Sequence, residues 1–325
     1  MYIAYYEEND YHTEIMGLFL DFCVKNNVNF DLFNNKDQSY FLEHFQIIFK
    51  PLKINRFKVE ELRDMIDNYD YIIIGTMGSS NLINDLILLY PKKFIQIFHN
   101  EDNLKKINSS VNSNSARRIT LTPLNEKIGL YLLPIFDYNY NNRVDAMNNN
   151  INRAKDKIIT MVGRFTNHRS YTSLLPLLNF DYTIWIIARK NKFVPQSLVS
   201  LSQTNPKLKI SYKLNAIKMT EILTKSRYIL CAAEKDSWYY KDRLTGTIPL
   251  SYNYNVPVII PSSLNKIYKI KGSVEYETPE NIPDNIKAID NNPGMYESIL
   301  DSLIEQKREI VSKNNEHILS LLALF

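Results

Sequence analysis

Thr245-Gly246-Thr247 heads the apolar segment Ile248 to Leu250 in the manner of a helix start. Small and hydroxyl residues suit a cap, and a glycine there lets an anion approach backbone N–H groups at the positive end of the helix dipole. Lys241 and Arg243 lie close enough in sequence to neutralise a diphosphate. Taken alone, the segment reads equally as an ordinary capped helix beside a solvated charged loop. Two further segments shift the balance. Gly163-Arg164-Phe165-Thr166-Asn167-His168-Arg169 follows an apolar run ending at Val162; Gly163 would give a tight turn, and Arg164 with Arg169 could hold phosphate oxygens bidentately. Arg189-Lys190 closes a third apolar run. Basic residues at three strand ends of one domain point to an anion site more than to a solvated face.

Proton transfer would draw on the first half of the chain. One apolar run exits into Glu7-Glu8-Asn9-Asp10-Tyr11-His12, another into Gly75-Thr76-Met77-Gly78, and another into His99-Asn100. Asp10, His12 and His99 are the candidates for a base that takes a proton from an attacking hydroxyl. Each also reads as a cap or surface residue, and Glu7, Glu8 and Asp10 as solvated carboxylates. Gly75 and Gly78 lack the third glycine of a dinucleotide fingerprint. Trp238-Tyr239-Tyr240 offers rings that could stack on a sugar or base, or pack a loop.

Other chemistries find less support. The histidines are scattered, with no pair spaced to hold zinc. No Gly-x-Ser-x-Gly elbow and no P-loop lysine occur. An Asp-x-Asp after a strand, which would place Mg²⁺ on a sugar nucleotide, is missing, so the expectation is a metal-independent site with no cofactor.

The whole chain has 325 residues, 45% hydrophobic and 23% charged, which is globular composition sufficient for two cores. The net charge of +4 comes from interspersed residues with no basic run to track a nucleic-acid backbone, and it suits an anionic small ligand. Cys23 and Cys231 each sit in an apolar run, as reduced buried thiols do. Acidic residues interrupt the N-terminus before a signal-peptide core could form, and no apolar stretch reaches about 18 residues. A cytoplasmic protein without a membrane span is expected. Abundant Asn, Ile, Lys and Tyr suggest an AT-rich coding genome, and with only 8 glycines each has a stronger claim to a backbone reason.

The elements that must hold these residues are written in the hydropathy pattern. Short β-branched and aromatic runs alternate with helical segments, as in parallel sheets built from βαβ units. Strands are predicted at 2–6, 29–33, 71–75, 94–99 and 119–121, with an extended segment at 130–136, then at 157–162, 182–188, 208–212, 228–232 and 256–260. Helices are predicted near 12–25, 170–178, 217–226 and 244–253. The Asn-rich stretch 141–156 reads as a linker between an N-terminal domain (1–140) and a C-terminal one (157–300). The apolar-ended tail, 301–325, is expected to be a helix docking back across the N-terminal domain.

Together, the Val162-Gly163-Arg164-Phe165 turn, the acidic residue of Ala232-Ala233-Glu234, the Leu244-Thr245-Gly246-Thr247-Ile248-Pro249-Leu250 helix start and Val256-Pro257-Val258-Ile259 resemble the donor-binding domain of a GT-B glycosyltransferase. The resemblance implies an α/β fold of two Rossmann-like domains facing across a cleft. It implies that Arg164 and the Thr245–Thr247 backbone hold a sugar-nucleotide diphosphate, with Arg189 and Glu234 near the nucleoside or sugar. The function implied is transfer of a sugar from a nucleotide-sugar donor to a hydroxyl acceptor, a glycan or glycoconjugate. The two glutamates of the retaining pattern are not reproduced, because position 242 is Asp and position 250 is Leu, and Asn255 stands where that family often has Gly. Inversion and retention therefore stay open. The alternative is a non-catalytic two-domain binding protein for a phosphorylated or carbohydrate ligand; a nicotinamide oxidoreductase would need a complete glycine fingerprint.

Overall fold

Strands buried on both faces of a parallel sheet read as near-continuous apolar runs, and most strands of the two sheets are of that kind, with Asp31, Gln96 and Thr160 as buried polar exceptions. The computed structural model describes residues 1–9, 13–35, 39–50, 52–76, 81–100, 117–137, 153–163, 165, 169 and 174–323. The chain folds as two compact units: Met1–Asn139 with Asp242–Leu244 and Ile310–Phe325, and Tyr140–Lys241 with Thr245–Glu309.

In the first unit the strands are β1 (Tyr2–Tyr6), β2 (Asn29–Phe33), β3 (Ile54–Phe57), β4 (Tyr71–Ile74), β5 (Phe94–Phe98), β6 (Arg118–Thr120) and β7 (Leu130–Tyr131). Among the described residues they form one parallel sheet ordered β3-β2-β1-β4-β5-β6-β7. The order reverses between β1 and β4, which makes their carboxyl ends the topological switch point where ligands of open α/β sheets bind. Tyr6 pairs with both Phe33 and Ile74, so Glu7 and Gly75 leave the sheet side by side. One face is covered by Leu62, Ile66, Ile83, Leu86 and Ile87 packed on Ala4, Tyr6, Ile72, Ile74 and Phe98.

The second unit contains β8 (Ile158–Val162), β9 (Thr183–Ala188), β10 (Leu208–Tyr212), β11 (Tyr228–Leu230), β12 (Val258–Pro261) and β13 (Ser273–Tyr276). They are again parallel, in the order β10-β9-β8-β11-β12-β13, with the switch between β8 and β11. Ile159, Met161, Ile184, Ile186 and Leu230 meet Leu177, Leu198, Ile282, Ile286 and Leu300 in its core. The long helix Pro293–Ala323 belongs to this unit as far as Glu309 and to the first from Ile310. There Asn314 Nδ2 donates to the Leu133 carbonyl (2.7 Å), and the Leu322 carbonyl accepts from Tyr71 Oη (2.7 Å). Among the described residues no helix is long and apolar enough to cross a membrane.

The strands read from apolar runs are present, with ends displaced by a residue or two. The sheets add β3 and β13, both edge strands: β3 buries only Ile54, and β13 alternates between buried and open positions, so neither forms a buried apolar run. The helix expected to begin at Leu244 begins at Thr247, with Gly246 as its N-cap. It ends at Asn255, which takes a left-handed conformation (φ 49°). That conformation accounts for a residue that stands where glycine is usual: asparagine is the side chain that most readily replaces glycine there.

Candidate functional site

At the switch point of the second unit, β8 and the helix Thr247–Tyr254 are joined by one guanidinium. Arg169 Nη1 donates to the Val162 carbonyl (2.7 Å), and Nη2 donates to Thr245 Oγ1 (3.1 Å). The guanidinium carbon lies 5.4 Å from the ring centre of Tyr239, and Arg169 forms an antiparallel bridge with Ala233, just after β11. Gly163 takes φ +126°, and a Cβ at that position would collide with Arg169 Nη1. The glycine therefore serves the turn and also clears the space the guanidinium fills. Its own N–H keeps the sheet pairing, donating to the Ile187 carbonyl (2.9 Å).

The helix start differs from the capped helix anticipated for the two threonines. No side chain caps it. Thr245, fully buried, spends its hydroxyl on Arg169 and on Thr247 Oγ1 (3.4 Å). Ile248 N–H turns back to the Thr245 carbonyl (3.1 Å), and Pro249 has no N–H to satisfy. Gly246 has ordinary helical angles, and a Cβ added to it would meet nothing within 4 Å. Its side of the helix start is open space.

At the other end of this helix Arg153, buried, donates from Nε to the Thr224 carbonyl (2.8 Å), from Nη1 to the Asn255 carbonyl (2.8 Å) and from Nη2 to the Tyr254 carbonyl (3.1 Å). A cation on the terminal carbonyls suits the negative end of the helix dipole and fixes a helix that is buried along nearly its whole length.

Of the other predicted donor residues, Arg189 follows β9, and Glu234 and Lys241 follow β11; all three are exposed. Arg243 groups with the first unit, 3.8 Å from Asp242, whose carbonyl accepts from Asn125 Nδ2 (2.9 Å). Arg164 lies outside the described residues. In the aromatic trio Tyr239 backs Arg169, Tyr240 Oη lies 3.2 Å from Ser263 Oγ, and Trp238 is 40% exposed. Burial pushes the neighbouring Cys231 thiol up to about 11, with Arg169 pulling the other way.

The switch point of the first unit assembles residues from β1, β4 and β5. Among the predicted catalytic residues Asp10 and His12 lie outside the described residues, while His99 leaves β5 beside Gly75 and Thr76. Glu7, read from sequence as a solvated carboxylate, is only 3% exposed. Its Oε2 accepts from Thr76 Oγ1 (2.9 Å). Residue type alone does not single out Glu7 or Thr76; the signal available is Gly75, one of few glycines, at a strand end. Among the described residues no three His, Cys, Asp or Glu side chains cluster so as to hold a metal ion.

No protein-family model and no curated protein sequence matches the chain. Solved structures do match over its whole length. Anabaena Alr3699/HepE in complex with UDP is 11% identical with a TM-score of 0.68, covering 100% of both chains. An alpha-glucosyltransferase in complex with UDP and a 13-mer DNA is 10% identical with a TM-score of 0.70, covering 99% of both. AviGT4, a glycosyltransferase involved in avilamycin A biosynthesis, is 10% identical with a TM-score of 0.64, covering 100% of this chain and 99% of its own. The fold is that of the GT-B glycosyltransferases, two Rossmann-like units, as the motif resemblance implied.

Proposed function

We propose that the chain is a glycosyltransferase that moves a sugar from a nucleotide-sugar donor to a hydroxyl of a glycan or glycoconjugate. The observation that carries this reading is the junction of Gly163, Arg169 and the uncapped helix start at Gly246, at the switch point of the second unit. An anchored guanidinium, a helix N-terminus without a side-chain cap and an open glycine face form a preorganised anion site. In this reading Arg169, Arg164 and the amides of Gly246 and Thr247 hold the donor diphosphate and stabilise the charge it gains as the sugar leaves. Full-length likeness to structures solved with UDP, an alpha-glucosyltransferase among them, supports the same assignment and makes UDP the first nucleotide to try.

The charge so supplied assigns no step to a divalent ion, and turnover is expected to survive chelation by EDTA. The decisive measurement is calorimetric titration and thermal shift with UDP, GDP, ADP, CMP and their sugars. Binding of one nucleotide that is lost in Arg169→Ala and in Gly246→Leu, both still folded, supports the donor site. A folded protein that no nucleotide stabilises refutes it. Release of free sugar from the bound donor, or its transfer, separates an enzyme from a binding protein.

A further inference from the structure

From Tyr182 to Thr220 the chain has seven Lys and Arg residues and no Asp or Glu. The whole protein carries a net charge of +4, so everything outside this segment sums to a negative charge. Two of the seven cations have work inside the fold: Lys207 Nζ donates to the Phe180 carbonyl (2.9 Å), and Lys209 Nζ lies 5.1 Å from the centre of the Trp185 ring. The other five, Arg189, Lys190, Lys192, Lys213 and Lys218, are exposed and follow the carboxyl ends of β9 and β10.

Sheet register brings them together. Ala188 pairs with Tyr212, and Lys213 N–H donates to the Ala188 carbonyl (3.1 Å), so Arg189 and Lys213 leave the sheet side by side. Lys218 stands in the first turn of the helix Ala216–Lys225, at the positive end of its dipole, where a cation is disfavoured, and that turn has no acidic residue. Among the described residues no carboxylate forms an ion pair with Lys190, Lys213 or Lys218. Self-repulsion of this kind weakens a fold, while it draws in an anionic partner.

The surroundings narrow the class of anion. The helix Gln196–Thr204 begins at this same end with Gln196 and Ser197 exposed, uncharged groups that can both donate to and accept from sugar hydroxyls. Among the described residues Ile217 is the one large apolar side chain well exposed in the segment, too little to seat in a lipid surface. Four of the five cations are lysine, a flexible point charge, where nucleic-acid recognition favours the forked guanidinium of arginine.

We propose that the carboxyl-end face of β9 and β10 is a docking surface for an anionic glycan, a sugar chain bearing carboxylate, sulfate or phosphate groups. Lys190, Lys213 and Lys218 pair with its anionic groups, and Gln196 and Ser197 with its hydroxyls. Docking there needs neither nucleotide nor turnover.

The probe is dextran sulfate oligomer, titrated calorimetrically into the full chain, with uncharged dextran as its control. Dextran sulfate is expected to bind at about 0.05 M NaCl and to weaken steeply by about 0.5 M as the Debye length shrinks, and dextran is expected not to bind. The combined variant Lys190→Gln, Lys213→Gln and Lys218→Gln should lose roughly 10- to 100-fold in affinity while staying folded and keeping its response to UDP. A second combined variant, Lys266→Gln, Lys287→Gln and Lys313→Gln, removes the same charge from exposed positions on other helices and should bind as the wild type does. Equal losses in the two variants would reduce the effect to net charge and overturn the proposal, as would a folded first variant with wild-type affinity. Dextran bound as tightly as dextran sulfate overturns the anionic class. Duplex DNA or phosphatidylglycerol vesicles bound more tightly than dextran sulfate, and lost in the first variant, overturn the glycan assignment. A failure of the donor reading shows itself separately, as absence of any response to UDP with dextran sulfate binding intact.

Discussion

Replacing Gly163 by alanine tests whether the glycine works through Arg169. The substitution does two things. It places a side chain at φ +126°, a conformation that costs about 1–3 kcal/mol for a residue with a Cβ, and it evicts Arg169 Nη1 from its place on the Val162 carbonyl. Eviction also breaks the bond to Thr245 Oγ1. If the guanidinium contacts the donor diphosphate, its displacement removes a charge-assisted hydrogen bond of about 1.5–3 kcal/mol, a rise of roughly 10- to 150-fold in the nucleotide Kd. The assay is a double-mutant cycle over wild type, Gly163→Ala, Arg169→Ala and the pair, with nucleotide Kd by calorimetry and stability by urea unfolding. Once Arg169 is gone the glycine substitution should cost only the backbone strain in stability and nothing more in nucleotide affinity, so the coupling should be about 0.5–3 kcal/mol. Additivity within about 0.5 kcal/mol, or a folded Gly163→Ala that binds nucleotide as the wild type does, would refute the reasoning. Gly246→Ala is the control for stability alone, because its Cβ meets nothing within 4 Å and its φ of −59° suits any residue.

Arg153→Ala should leave the carbonyls of Thr224, Tyr254 and Asn255 without their donor and lower unfolding free energy by about 3 kcal/mol or more, read from chemical denaturation. Burial holds the Asp21 carboxyl above its ordinary range despite Lys25 Nζ at 2.7 Å. The folded state then binds more protons than the unfolded one between the ordinary carboxylate value and the raised one, so this group's contribution to stability falls as pH rises through that window. The stability difference between wild type and Asp21→Asn, followed by thermal unfolding across acidic pH, should show that slope; no slope would remove the claim. Burial raises both thiols, Cys231 to about 11 and Cys23 further, so a thiol reagent at neutral pH should label neither until the protein unfolds.

Much of the fold was legible in one dimension because parallel strands buried on both faces are near-continuous apolar runs, as Tyr228–Leu230 and Tyr71–Ile74 are. Edge strands carry no such demand, so Ile54–Phe57 and Ser273–Tyr276 left no comparable mark. Gly163, Arg169 and Thr245–Thr247 stood out by type, since cations and small residues at strand ends are what an anion site requires. Their division of labour did not: only the folded chain shows Thr245 holding Arg169 instead of capping the helix, and Gly163 making room for a guanidinium. Glu7, Thr76 and His99 are far apart in sequence, and what joins them is a strand order that lays the ends of β1, β4 and β5 side by side. Residue type determines which chemistry a side chain can offer and periodicity which element carries it. Which carboxylate meets which hydroxyl is decided by strand order and register, and those follow from packing contacts between segments distant along the chain.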